Sequence, residues 1–204
     1  MAFVPLEVLL VVIAIERLLH KHEKQAILEK LNMVIGALYS ELRTRLLGGL
    51  TVAAAAREEI RRRLAPDTSW VNKDFAQAYE FARAFAHRVD PSELDLEALH
   101  GLLAAKRDFL VRLLENPNLL EHDRFTDLLW AVFHLGEELG ARGSLEGLPQ
   151  SDLEHLAGDL TRVYSQLASQ WIAYAQHLQA DYHFLFSLLV RTHPFQAQPS
   201  AVIS

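Results

Sequence analysis

Phe3 to Leu19 read FVPLEVLLVVIAIERLL, and a segment this apolar has to be covered by lipid or by protein. As a helix, Met1 to Leu19 is about 28 Å long at ~1.5 Å per residue, against a bilayer hydrocarbon thickness of about 30 Å. Three charges interrupt it: Glu7, Glu16 and Arg17. Glu16 and Arg17 sit at one end, where long charged side chains snorkel; Glu7 requires an interface or a partner helix. Lys21, Lys24 and Lys30 follow, and no basic residue precedes the run. The positive-inside rule then orients the segment as a single-pass transmembrane helix with the rest of the chain in the cytoplasm. A cleaved secretory signal does not fit, because its basic part comes first and a small-residue cleavage site follows it. The other readings are a helix in the membrane plane or packed on a partner, and a core helix of a water-soluble fold.

The remainder is helical in pattern. Half of the 204 residues are apolar, so a sizeable core is available, and Gly and Pro together number 16, too few for a loop-rich β fold. Ile27, Leu28, Leu31, Val34, Ile35, Leu38, Leu42 and Leu46 recur at three- and four-residue steps, continuing the N-terminal helix to a break at Gly48-Gly49. Thr51 is placed to cap a second piece that runs to about Leu64, where Pro66 stops it. Phe75, Ala78, Tyr79, Ala82 and Phe85 predict a helix within 70–88. Leu96, Leu99, Leu103, Leu110 and Leu114 predict another, ended by Asn116-Pro117-Asn118, and Leu119 to Leu139 a third. After a loop with Gly140, Gly143 and Gly147, Ser151 and Glu154 have the spacing of a capping box. The long helix it opens carries Leu153, Leu156, Leu160, Val163, Leu167, Trp171, Tyr174 and Leu178, a pattern suited to left-handed helix packing within the chain or between chains. Phe184 to Val190 is the buried end of that helix or a final one. The expected architecture is all-α: a transmembrane or partner-buried helix (1–20), basic juxtamembrane helices (21–65), an acidic antiparallel bundle of about five or six helices in all (66–195), and a loose tail (196–204).

Charge follows the same division. Residues 1–66 hold 10 Lys/Arg against 7 Asp/Glu, and residues 67–204 hold 10 against 19. The basic part suits an anionic membrane surface, and the acidic part is repelled from it and from nucleic acid, so a nucleic-acid partner is not expected. The chain has no cysteine, which excludes disulfides, thiolate metal sites and Cys nucleophiles.

Three stretches, EKLNMVIGALYSE (29–41), ENPNLLEHDRFTDLLWAVFHLGEEL (115–139) and HLQADYHFLFSLLVRTHPF (177–195), resemble a family of bacterial membrane-anchored helical proteins with no assigned activity. The resemblance implies a bacterial inner-membrane location and a helical cytoplasmic part. It supplies no catalytic residues.

Candidate site residues come from the polar faces. On the helix 119–139, Phe125, Leu128, Leu129, Val132, Leu135 and Leu139 form the core stripe. Asp123, Asp127, Trp130, His134 and Glu138 lie opposite. A Trp among acids marks Asp127, Trp130, His134 and Glu138 as a protein interface, with Trp171 on the long helix as a second contact. Lys21, Lys24, Arg61, Arg62 and Arg63 are the candidates for lipid headgroups. Ten histidines raise metal binding. Glu97-Ala-Leu-His100 has the Glu-x-x-His spacing of di-metal bundles, and Asp152-Leu-Glu-His155 is its Asp version. With His134 and Glu138, these give Glu97, His100, His134, Glu138 and His155 as the metal set. Against it, Glu97 falls off its helix's leucine stripe, and His134/Glu138, His155/Asp159 and His177/Asp181 read as i,i+4 surface pairs.

No phosphate loop, GxSxG, HExxH or GxGxxG occurs. The expected function is a non-enzymatic membrane-tethered scaffold or accessory subunit working through helix–helix contacts, with itself or a protein partner. The alternative is a bundle that binds a metal, haem or small ligand as a sensor or redox protein; the sequence names no cofactor.

Overall fold

The computed structural model describes residues 3–42, 46–85, 88–120, 122–196 and 200–202. Among these are nine α-helices: α1 Phe3–Leu42, α2 Gly48–Ala53, α3 Arg57–Leu64, α4 Asn72–Arg83, α5 Leu96–Leu114, α6 Pro117–Leu120, α7 Asp123–Gly140, α8 Gln150–Asp181 and α9 His183–Thr192. A 3-10 turn, Pro91–Glu93, precedes α5. No strand forms among the described residues; an antiparallel bridge joins Ala54 to Val89.

The core is organised around α8, which packs against α4, α7, α9 and the second half of α1, while α5 packs on the far side of α7. The apolar stripe of α8 is buried from Leu156 through Leu178. Trp171 is fully buried, with Phe195 edge-on at 5.1 Å and His193 at 6.0 Å. The three-four spacing therefore finds its partners inside this chain.

Ile35, Leu38, Tyr39 and Leu42 are the buried stripe of α1. The Tyr39 hydroxyl donates to the Leu167 carbonyl at 2.6 Å, tying α1 to α8. Burial, and secondarily Tyr174, holds that phenol well above its ordinary pKa, so it stays a donor. Tyr39 stacks on Tyr174 at 5.9 Å. A Cβ built on Gly36 would lie 2.7 Å from the Tyr174 hydroxyl, so the ring of Tyr174 occupies the space that a side chain at 36 would take.

The first half of α1 differs. Val8, Leu9, Leu10, Val11, Val12, Ile13, Ile15 and Leu19 are all exposed. No helix among the described residues is long and apolar enough to cross a membrane. The transmembrane helix expected at 1–20 is thus not supported, because Glu7, Glu16 and Arg17 divide the apolar run.

Three local expectations are also revised. Thr51 caps no helix: it lies inside α2, buried, donating to the Leu47 carbonyl at 2.7 Å. The expected single helix from Thr51 to Leu64 breaks at Ala54–Ala56. There the backbone turns outward to pair with 88–90, where Asp90 N–H donates to the Ala53 carbonyl at 3.0 Å. The Ser151/Glu154 box does not form. The first residue of α8 is Gln150 and its N-cap is Pro149, with no side-chain cap bond. The real caps are Asp95, which accepts from Ala98 N–H at 2.8 Å to start α5, and Asp74, which accepts from Val71 N–H at 2.9 Å at the start of α4. Phe184 to Val190 lies in a separate helix, α9, whose Phe186 and Leu189 are buried. In the tail, Ser200 N–H donates to the Arg191 carbonyl, so its described part is held to the end of α9.

Candidate functional site

The outer face of α7 divides in three. Trp130 stays exposed, edge-on to Phe133 at 6.1 Å. Asp127 borders a groove toward α4 and α8. His134 and Glu138, one turn apart, face α8, where His155 and Asp159 are likewise one turn apart.

These four side chains form a ring across the α7–α8 seam. His134 Nε2 lies 3.8 Å from Glu138 Oε1 and 3.7 Å from Asp159 Oδ2. His155 Nε2 lies 3.6 Å from Glu138 Oε2 and 3.4 Å from Asp159 Oδ2. Asp159 is buried, its side chain 6% exposed, and its Oδ2 has no hydrogen-bond partner. Its Oδ1 accepts from Arg162 at 3.0 Å.

Below the ring, Arg142 clamps both helices. It donates to Asp152 through Nε at 2.9 Å and Nη2 at 2.7 Å, to Glu138 Oε2 at 2.9 Å, and to the Glu138 carbonyl. The guanidinium holds the Glu138 and Asp152 carboxyls below their ordinary pKa values, chiefly through these hydrogen bonds. They in turn raise Arg142, Asp152 contributing most. The pairing with Asp152 is fork-to-fork, a charge-assisted contact roughly twice as strong as a neutral hydrogen bond.

The expected metal set is thereby split. His134, Glu138 and His155 come together, and Asp159, which the sequence presents as half of a surface pair, is the buried fourth member. Glu97 and His100 serve another junction. Glu97 accepts from Leu145 N–H at 3.3 Å, and His100 fills the space beside Gly140, where an added Cβ would lie 3.2 Å from its Nε2. Among the described residues no group of three or more His, Asp or Glu is arranged to hold a metal ion. The carboxylates of the ring are each engaged by an arginine, and its histidine–carboxylate distances run from 3.4 to 3.8 Å.

The interface set is split too. Trp130, Asp127 and His134 are exposed, but Trp171 lies in the core, where no partner reaches it. Among the headgroup candidates, Lys21 and Lys24 lie on α1, with side chains outside what the structure describes. Arg61 and Arg63 are paired within α3, to Glu58 at 3.2 Å and Glu59 at 3.0 Å; Arg62 is exposed.

Fold and site together define an all-helical protein whose α7–α8 seam is latched by charge and whose first helix carries an uncovered apolar half. The chain belongs to the family described as "Uncharacterized protein MJ1433, C-terminal helical domain", which matches residues 27–191. It is 43% identical over 195 residues to Uncharacterized protein MJ1433 of Methanocaldococcus jannaschii, covering 96% of this chain and 78% of that protein. No solved structure matches. The relative is archaeal, so the bacterial and membrane-anchored parts of the expected resemblance rest on the sequence reading alone.

Proposed function

We propose that this protein is a non-enzymatic scaffold or accessory subunit that docks, through the first half of α1, among the helices of a membrane protein. The observation behind this reading is the run of eight exposed large apolar side chains from Val8 to Leu19. Val8 through Ile13 are consecutive and so point around the whole circumference of the helix. A single docked face would cover only a stripe, whereas insertion among several helices or lipid chains covers all sides. Glu7, Glu16 and Arg17 weigh against lipid alone and favour neighbouring helices that supply polar partners. The finer form of the proposal is a single pass of a bacterial inner membrane with the bundle in the cytoplasm, and Lys21, Lys24 and Lys30 support that direction.

Mild detergent extraction from native membranes, followed by mass measurement of the intact particle, tests this. The expected result is a membrane-extracted complex containing a second, polytopic protein, lost on Val12→Asp substitution. A monomer in the soluble fraction, unchanged by that substitution, would overturn it.

A further inference from the structure

A second polar feature lies on the other side of α8 from its apolar stripe. Between α4 and α7 runs a groove of about 350 Å³, within the size range of small-ligand sites. Its α8 side is polar for two successive turns, with Ser165 and Gln166 followed by Ser169 and Gln170. Ser165 donates to the Arg83 carbonyl at 3.1 Å and Ser169 to the Gln166 carbonyl at 3.1 Å, so each hydroxyl presents its oxygen as an acceptor. Gln166 Oε1 is buried and has no hydrogen-bond partner.

Three arginines, one from each helix, border this groove: Arg83 on α4, Arg124 on α7 and Arg162 on α8. Asp127 is the one carboxylate among the lining residues. Residues 67–204 carry only 10 Lys/Arg against 19 Asp/Glu, so three guanidinium groups at one groove are a local concentration of basic side chains. Each is steadied on one edge. Arg124 donates to the Tyr79 hydroxyl and lies 5.5 Å over its ring. Arg162 reaches Asp159 at 3.0 Å, and Arg83 approaches Glu80 at 3.9 Å. A guanidinium has five N–H donors in a flat fork that matches phosphate oxygens in pairs.

We propose that the α4–α7–α8 groove binds a small phosphomonoester: the three arginines hold the phosphate, and Ser165, Ser169 and Gln166 hydrogen-bond the hydroxyl groups of its body. Asp159 and Glu80 occupy one edge of Arg162 and Arg83, and the remaining N–H donors of the three guanidinium groups match the oxygens of a group carrying roughly −1.5 to −2 at pH 7. Gln166 Oε1 is the acceptor a ligand hydroxyl satisfies. This site is independent of the docking role of α1.

Titration calorimetry of the full chain with inorganic phosphate and with glucose 6-phosphate tests it, using glucose at matched ionic strength as the neutral control. The expected result is saturable one-site binding of both phosphates and none of glucose. The sugar phosphate binds more tightly, and its binding strengthens as pH rises through about 6, where a phosphomonoester loses its second proton. Arg124→Gln weakens binding tenfold or more, Gln166→Ala narrows the gap between the two ligands, and Arg62→Gln on α3 changes nothing. Arg83 and Arg124 are exposed and hold no buried carboxylate, so Arg83→Gln and Arg124→Gln keep the wild-type melting curve, which separates lost binding from lost folding. Arg162 also holds buried Asp159, so the triple variant is compared at a temperature below its own melting transition. Absence of saturable heat at millimolar ligand, or equal binding after Arg83, Arg124 and Arg162 are all changed to Gln, would overturn the proposal. So would binding seen only with vesicles of anionic lipid, which would place the arginines against a membrane surface instead.

Discussion

The two halves of α1 are one helix with opposite fates. Residues 3–19 are the more apolar, yet every large apolar side chain described there is exposed. Residues 34–42 are mixed in composition, yet Ile35, Leu38, Tyr39 and Leu42 are almost completely buried. Burial inside the chain follows arrangement rather than hydrophobicity. A stripe at 35, 38, 39 and 42 meets the matching stripe of α8, whereas a cylinder apolar on all sides finds no single surface in its own chain able to cover it.

Substitutions sharpen this contrast. The largest expected effect is Leu38→Ala, which removes a fully buried side chain at the α1–α8 contact and should cost about 2–5 kcal/mol in denaturant unfolding. Gly36→Ala should cost about 1–3 kcal/mol by forcing the Tyr174 hydroxyl aside, and less in a Tyr174→Phe background, where the nearest clashing atom is gone. An equal cost in both backgrounds would remove Tyr174 from the account. Tyr39→Phe should cost about 0.5–1.5 kcal/mol by removing the second donor to the Leu167 carbonyl, which keeps its own helix hydrogen bond. In the exposed half, Val12→Ser should move unfolding free energy by no more than about 0.5 kcal/mol while weakening membrane-complex assembly.

The seam of α7 and α8 adds a pH test. The Glu138 and Asp152 carboxyls are depressed in the folded state by Arg142. Their contribution is therefore complete above the ordinary carboxylate range near pH 4 and is lost as pH falls through the lower folded values. An Arg142→Met variant should show a shallower fall of melting temperature with acid than the parent. A parallel fall in both would mean that these carboxylates do not couple to folding.

Much of the helical plan can be read from spacing alone. The stripes of α4, α5, α7 and α8 announce themselves at three- and four-residue intervals, and the glycines at 140, 143 and 147 mark the loop between α7 and α8. The break at Ala54–Ala56 is hidden, because AAAA favours helix and only the distant pairing with 88–90 opposes it. Trp171 shows a different limit. Periodicity identifies it as belonging to a packed stripe but cannot say whether the partner is its own chain, and here His193 and Phe195 supply it. Asp159 reads as an exposed partner of His155; its burial comes from the approach of α7, which no spacing within α8 encodes. The three arginines of the groove are 38 or more residues apart in sequence and form no motif.

The missing side chain at Gly36 has a mechanical consequence. α1 runs unbroken from Phe3 to Leu42, so its backbone carries a change of direction at Gly36 out to its far end. Gly36 lies roughly 36 Å from Val12 at ~1.5 Å per residue. The clasp of Gly36, Tyr39 and Tyr174 therefore sets the bearing of the entire projecting arm. An ångström of separation added there by a methyl group would swing the far end through several times that distance.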